Sequence, residues 1–261
     1  MPLVTRACGA TINFIERGVG PPVFLLAPGG MRSSIGHWAG QPYDPLTKLV
    51  GAHRVIAMDQ RCGAGESDGP IPSNWDTYRD DQLAVLDAAG VESGCLLVGS
   101  CIGPSFIFSL LQHSPKRFAA AVLMQPIGIA EHTTEPGNRW DGINTAASQH
   151  WFGDWAQEIE REGRGSKSAL ASLYSEMFVR PGADRFCFTA GRSELPHLSH
   201  PMLIFAGKDM FHPTAVAREI ASLVPNAELV ERWRDEHYSN EVDTRIATFL
   251  REHSTGSVQP S

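Results

Sequence analysis

The segment Gly99-Ser100-Cys101-Ile102-Gly103 stands between a short apolar run, Cys95–Val98, and a stretch of helical periodicity that ends at His113. A strand that turns this tightly into a helix lifts the central side chain of the turn above the sheet, and the crowding admits only small residues on either side. The two glycines meet that demand, and Cys101 is the central residue. Ser100 is out of register, because position 98 is a valine. The pattern therefore predicts a nucleophilic cysteine at the start of a helix.

Short apolar runs and longer periodic segments alternate over most of the chain, which is typical of a mainly parallel α/β sheet. We predict strands over Thr11–Ile15, Val23–Ala27, Arg54–Met58, Cys95–Val98, Phe118–Met124, Pro201–Ala206 and Ala227–Trp233. We predict helices over Trp75–Ala89, Ile102–His113, Thr214–Leu223 and Glu241–Glu252. This order predicts a doubly wound α/β core made of residues 1–126 and 201–253, followed by a flexible polar tail at 254–261.

The strand–helix alternation stops between residues 127 and 200, where turn formers and scattered aromatic residues take its place. A stretch of about 70 residues without a clear strand is too long for a loop inside a compact domain. We therefore predict that 127–200 forms a helical cap inserted in the α/β core. Trp151 and Trp155 are weak candidates for contact with a substrate, since aromatic residues in such a segment more often pack within the cap.

The composition excludes several classes of protein. The chain has 261 residues and a formal net charge of −7, and no cluster of Lys and Arg forms the basic face that nucleic-acid binding requires. No apolar run approaches the roughly 20 residues of a membrane span, and the amino terminus lacks an apolar signal segment, so we expect a cytoplasmic protein with no membrane partner. The five cysteines show no CxxC spacing, which disfavours a disulfide framework and a zinc module.

Three further segments give the chain its resemblance to the alpha/beta-hydrolase superfamily. The loop after the strand at 54–58, Asp59-Gln-Arg61 followed by Gly65-Glu-Ser67, is similar to the superfamily's D-x-R-G-x-G-x-S loop, with one extra residue and Cys62 in place of a glycine. Phe205-Ala-Gly207-Lys-Asp209 resembles the segment that carries the acid of the catalytic triad. Trp233-Arg-Asp-Glu-His237 resembles the segment that carries the triad histidine. The order nucleophile, acid, histidine is the order expected of this fold.

The resemblance implies a triad of Cys101, His237 and Asp209. The other acid position of the fold, after the sixth strand, is Gln125-Pro126, which cannot be an anion. His212 is so close to Asp209 in sequence that we interpret it as part of the acid loop rather than as the base. Asp59 and Arg61 belong to a loop whose usual role is structural bracing, and we assign them no chemistry.

The oxyanion hole is expected to pair the N–H of Ile102 with an N–H from the loop after the third strand. That loop, Leu26-Ala-Pro28-Gly29-Gly30-Met31, departs from the superfamily's usual His-Gly. Gly30 is our first candidate for the second donor, and Met31 is the alternative. His37, just beyond this loop, is a weak candidate for contact with substrate.

A cysteine nucleophile narrows the reaction. Dienelactone hydrolases carry a Cys–His–Asp triad within this superfamily, whereas the long cap resembles its capped branches. A thiolate at a helix start and beside a histidine attacks acyl carbons readily, but it also leaves readily, so that esters, lactones and thioesters are favoured over amides. We therefore predict a hydrolase of a small-molecule ester, lactone or thioester, which needs neither a metal nor an organic cofactor.

Two other functions remain open. An acyltransferase would use the same acyl-cysteine intermediate with an acceptor other than water. A non-catalytic protein that binds a small molecule on the same fold is the second, because fold alone does not determine function. The expected partner is a small-molecule substrate in each case, and a homodimer remains open.

Overall fold

The computed structural model describes residues 2–129, 152–181, 183–234 and 239–254. At its centre is an eight-stranded sheet with the strand order β1-β2-β4-β3-β5-β6-β7-β8. The strands are β1 (Leu3–Thr5), β2 (Thr11–Arg17), β3 (Pro22–Leu26), β4 (Arg54–Met58), β5 (Cys95–Ser100), β6 (Phe118–Met124), β7 (Met202–Phe205) and β8 (Ala227–Val230). β2 is antiparallel to β1 and β4, and all other neighbouring strands are parallel. The predicted mostly parallel α/β sheet is confirmed.

The helices follow the strands in alternation. They are α1 (Pro45–Lys48), α2 (Trp75–Ala88), α3 (Gly103–His113), α4 (Asp154–Arg161), α5 (Lys167–Tyr174), α6 (Thr214–Leu223) and α7 (Ser239–Glu252). Buried side chains of α2, α3 and α6 belong to the core on one face of the sheet, and those of α7 belong to the core on the other face. Both faces of the central strands are therefore covered, which is why β5 is buried along its whole length.

Residues of a strand point alternately to the two faces, and β4 shows how this builds both cores. Val55 and Ala57 lie in the core that contains α7, whereas Ile56 and Met58 lie in the core that contains α2 and α3. All four are buried. A continuous apolar strand is thus required at this position, because neither of its faces meets water.

Helices α4 and α5 lie between β6 and β7, in the segment predicted as a cap. Phe152, just before α4, forms a buried aromatic cluster with side chains of these two helices. Its ring lies 5.2 Å from that of Tyr174 and 5.9 Å from that of Trp155. The indole of Trp75 in α2 donates a hydrogen bond to the carbonyl oxygen of Met177 at 2.9 Å, which ties this segment to the α/β core. The boundaries 127–200 remain a prediction, since residues 130–151 lie outside the described residues.

Two strand ends differ from the prediction for a visible reason. β8 ends at Val230 rather than Trp233, because Trp233 turns into the core and its indole donates a hydrogen bond to the carbonyl oxygen of Ala206 at 2.7 Å. β1 was not predicted, since it has only three residues and a largely exposed burial pattern. The tail beyond residue 254 lies outside the described residues.

Candidate active site

The turn that presents Cys101 is held from both sides. Cys101 has a φ of +61°, a left-handed conformation that side chains with a Cβ rarely adopt. Its backbone N–H donates to the carbonyl oxygen of Met124 at 3.0 Å, and its carbonyl oxygen accepts from the N–H of Ile127 at 3.2 Å. A Cβ at Gly99 would lie 2.8 Å from the backbone of Gly103, so the glycine there is required by close approach. The strand β5 and the helix α3 therefore meet in the tight turn that the sequence predicts at residues 99–103, which we call the elbow.

Asp209 lies in the loop that joins β7 to α6. Its Oδ1 accepts hydrogen bonds from the backbone N–H groups of Phe211 and His212, at 3.0 and 3.1 Å. The ring Nδ1 of His212 lies 2.7 Å from the same oxygen, and Arg234 approaches Oδ2 at 3.4 Å. Burial raises the pKa of the carboxyl, but these hydrogen bonds hold it well below its ordinary value. The low pKa favours the carboxylate form of Asp209, whose Oδ1 is engaged by the loop that follows it and whose Oδ2 faces Arg234.

Within the described residues, His212 lines the same cavity as Cys101. Burial raises the pKa of the Cys101 thiol, but the charge and hydrogen bonding of His212, together with the backbone N–H groups of Gly29 and Ile102, bring it below its ordinary value. Burial lowers the pKa of His212, whereas the negative charge of Cys101 and the hydrogen bond to Asp209 raise it to about 9. Both directions favour a thiolate beside an imidazolium at neutral pH.

The second backbone donor at the thiol is Gly29. Gly29 follows β3 with a φ of +118°, and its N–H, like that of Ile102, lowers the pKa of Cys101. Gly30 lines the neighbouring cavity, and Met31 is buried in the following turn. The role predicted for Gly30 or Met31 remains a prediction, and Gly29 is a candidate that the sequence reasoning did not consider.

A cavity of about 180 Å³ opens onto the sulfur. It is lined by Cys101 and His212 together with Gly29, Gly30, Arg32, His37, Ile127 and Phe211. A larger groove of about 560 Å³ runs along α7, but its lining contains no cysteine or histidine. The smaller cavity is therefore the place where a bound molecule would meet the Cys101 sulfur.

His37 lines this cavity and packs beside Gly29, in the loop after β3. Its Nδ1 lies 2.8 Å from the hydroxyl of Ser34, and its ring would contact a Cβ placed on Gly29 at 3.2 Å. Burial and the charge of Arg32 lower the pKa of His37, so a neutral ring is favoured. Its position agrees with a contact to substrate, although its only described hydrogen bond is to Ser34.

The other predicted site residues lie elsewhere. Trp155 is buried in the aromatic cluster of the cap segment and does not line the cavity. His237 and Trp151 lie outside the described residues, so that their roles remain predictions. The spacing Asp209-x-x-His212 is visible in the sequence, but the spacing alone does not indicate that the His212 ring lines the same cavity as Cys101.

Asp59 and Arg61 have bracing contacts. The carboxylate of Asp59 accepts hydrogen bonds from the N–H of Ile35 at 2.8 Å and from the side chain of Asn13 at 2.6 Å. Arg61 binds both carboxylate oxygens of Asp81, at 2.6 and 2.9 Å. Asp59 thus joins its loop to β2 and to the segment after β3, and Arg61 joins the same loop to α2. Within the described residues, no group of three or more His, Cys, Asp or Glu side chains could bind a metal ion.

The family model described as alpha/beta hydrolase fold matches residues 22–172, which is more than half of the chain. The chain belongs to the alpha/beta hydrolase fold family. No helix in the described ranges has both the length and the apolar character needed to cross a membrane.

Known proteins with similar sequences and structures span several activities. The polyketide synthase ThaQ of Burkholderia thailandensis is 26% identical in an alignment of 239 residues that covers 85% of this chain and 11% of that protein. A Klebsiella pneumoniae protein named as a carbamate hydrolase, RutD, is 24% identical in an alignment of 254 residues that covers 89% of this chain and 91% of that one. The enol-lactonase of Burkholderia xenovorans superposes with a TM-score of 0.64 at 19% identity, covering 96% of this chain and all of that one. The chain thus spans only a small part of the synthase, and the likeness to the enol-lactonase shows the fold.

Proposed function

We propose that this protein is a hydrolase that cleaves a small-molecule ester, lactone or thioester through a covalent acyl-Cys101 intermediate. One observation carries the proposal: the Cys101 sulfur opens onto a cavity, and an imidazole and two backbone N–H groups lower its pKa. A stabilised thiolate is the form of cysteine that attacks acyl carbons. The names of the related proteins, a carbamate hydrolase and an enol-lactonase, agree with acyl chemistry on small molecules.

The reaction has two balanced halves. The thiolate attacks the acyl carbon, the carbonyl oxygen becomes an oxyanion between two backbone N–H groups, and the bond to the leaving group breaks as the imidazolium protonates that group. Water then gives a proton to the imidazole and attacks the thioester carbon. The bond from carbon to sulfur breaks, which releases the acid and restores the thiolate and imidazolium. Asp209 stabilises the positive ring in both halves.

The size of the cavity and the leaving ability of the sulfur support a small, activated acyl substrate. A free volume of about 180 Å³ admits a short acyl group rather than a long chain or a polymer. The tetrahedral intermediate expels whichever group leaves more readily, so a thiolate nucleophile favours substrates whose alcohol or thiol leaves at least as well as the sulfur. Small activated esters, lactones and thioesters are the substrates to test first.

The direct test is intact-protein mass spectrometry after brief exposure to p-nitrophenyl acetate at neutral pH. We expect one acetyl group on Cys101, release of nitrophenol, and neither in Cys101→Ala. Cys8→Ala is the matched control, since Cys8 is the exposed thiol and its pKa is also lowered, chiefly by a hydrogen bond with the backbone of Ala10. Acetylation that persists in Cys101→Ala and disappears in Cys8→Ala would refute the proposal.

A further inference from the structure

One charged side chain at the cavity of Cys101 lacks a counter-charge. Arg32 lines this cavity and is half-buried, and its Nε is buried without a hydrogen-bond partner. Among the residues that the structure describes, no carboxylate forms an ion pair with its guanidinium, whereas every other arginine that is not exposed has such a partner. Arg32 is thus an exception, and it lies beside the sulfur of the site.

The backbone holds Arg32 in this position. It ends a short 3₁₀ turn, Gly30–Arg32, which follows Gly29. The two glycines have φ angles of +118° and +60°, which residues with a Cβ rarely adopt, and they bend the chain sharply. The N–H of Arg32 donates to the carbonyl oxygen of Gly29 at 3.0 Å, and its carbonyl oxygen accepts from the N–H of Ala64 at 3.0 Å. The main chain therefore fixes the point from which the guanidinium reaches the cavity.

The neighbouring acid does not neutralise Arg32 by contact. The charges of Arg32 and Asp59 both act on His37, which lines the same cavity, so Asp59 is the acid to consider. Its carboxylate accepts hydrogen bonds from the N–H groups of Ile35 and Glu66, at 2.8 and 2.9 Å. Because these donors occupy Asp59 and no ion pair joins it to Arg32, the guanidinium keeps its N–H groups for a bound molecule.

We propose that Arg32 binds a carboxylate of the substrate while Cys101 attacks its acyl carbon. A charge that is partly removed from water costs free energy unless it is paired, so a half-buried guanidinium at a cavity favours a bound anion. The planar fork of its N–H groups matches the two oxygens of a carboxylate. This inference rests on the proposed hydrolase function and names its substrate class, which is small esters, lactones or thioesters that carry a carboxylate.

The size of the cavity limits the distance between the two reacting groups of the substrate. Arg32 and Cys101 line one volume of about 180 Å³, so the acyl carbon and the carboxylate are joined by a short chain. The carboxylate forms and breaks no bond, and the two halves of the reaction are those given above. Arg32 is therefore a specificity residue that acts by binding.

The first test needs no turnover and measures protection of Cys101 from iodoacetamide at neutral pH. Peptide mass spectrometry gives the alkylation rate with increasing succinate, with its neutral analogue succinamide, and with inorganic phosphate. We expect succinate to protect at lower concentration than either of the others. In Arg32→Gln its half-protective concentration should rise at least about tenfold, since a hydrogen bond to a charged group contributes that much. Arg32→Lys keeps the charge and should retain part of the protection.

The matched control is Arg251→Gln, at an exposed position in α7, which removes the same charge from the protein. Its protection by succinate should equal that of the parent. Equal half-protective concentrations in the parent and Arg32→Gln would overturn the inference, and so would equal protection by succinate and succinamide. Protection by phosphate but not by succinate would overturn the assignment to a carboxylate. Circular dichroism and the urea midpoint verify that each variant is folded.

The second test measures hydrolysis of two matched pairs of thioesters. One pair is the S-ethyl thioesters of succinate and butyrate, which places the carboxylate in the acyl half. The other is S-acetyl thioglycolate and its amide, which places the carboxylate in the leaving group. We expect higher kcat/KM for the charged member of at least one pair. Arg32→Gln should raise the KM of that member about tenfold with little change in kcat, because the contact is made equally in the ground state and the transition state.

The outcomes separate the two proposals. Hydrolysis of the thioesters that does not respond to Arg32→Gln in either pair overturns the present inference, while the proposed function stands. If no acyl-Cys101 forms from any thioester, yet succinate still protects Cys101 in a manner that depends on Arg32, the proposed function fails and the anion site remains.

Discussion

The left-handed backbone of Cys101 predicts an unusual order of stability among variants that lack the thiol. At a φ of +61° a residue with a Cβ costs about 1–2 kcal/mol relative to glycine, because the Cβ crowds the following carbonyl oxygen. In ordinary secondary structure glycine is less stable than alanine by roughly 0.5–1 kcal/mol, since it loses more freedom on folding. Both Cys101→Gly and Cys101→Ala remove the thiol, so the difference between them isolates the backbone.

Subtracting the entropy cost of glycine from the relief of strain, we expect Cys101→Gly to be more stable than Cys101→Ala by up to about 1.5 kcal/mol. In a chain of this size, each kcal/mol corresponds to roughly 2–4 °C in melting temperature. The assay is urea unfolding followed by circular dichroism, with calorimetry as a second measure. Both variants should lack acylation, so that the gain in stability comes at the position where activity is lost.

The control is Ala247→Gly, at an exposed position inside α7, where glycine should lower the free energy of unfolding by about 1 kcal/mol. Glycine should thus give a higher free energy of unfolding than alanine at position 101 and a lower one at position 247. A Cys101→Gly variant that is less stable than Cys101→Ala, by the same amount as at position 247, would show that the elbow stores no backbone strain.

Two further outcomes are expected. Asp81→Ala leaves the buried guanidinium of Arg61 without its carboxylate and should lower the free energy of unfolding in urea by about 3–5 kcal/mol. The control Asp80→Ala, which breaks an exposed ion pair, should lower it by less than about 1 kcal/mol. Equal losses in the two variants would contradict the bracing role of the buried pair. The hydrogen bonds from His212 and the backbone keep the pKa of Asp209 low in the folded state, so its carboxylate stabilises the fold above about pH 4, and that contribution is lost as the pH falls. Asp209→Asn should therefore lose less stability than the parent protein between neutral and acidic pH, and parallel profiles would argue against this.

The sheet could be predicted because its determinants are local. Arg54–Met58 and Phe118–Met124 are observed with the predicted bounds, since a strand covered on both faces must be apolar along its length. The elbow was equally visible, because two glycines around Cys101 are a steric demand of a single tight turn. The short edge strand Leu3–Thr5 had no such pattern and was missed.

What the sequence by itself determined is the fold class, the tight turn that presents Cys101 and the position of Asp209 after a strand, since each depends on residues adjacent in the chain. Only the tertiary structure decided which groups surround the sulfur. Gly29 and His212 line the cavity of Cys101 from the loops after β3 and β7. Gly29 does so with a positive φ, and the cavity forms only where these distant segments pack together. Spacing along the chain sets the order of motifs, whereas the distance between a thiol and an imidazole is set by how separate loops pack over the edge of one sheet.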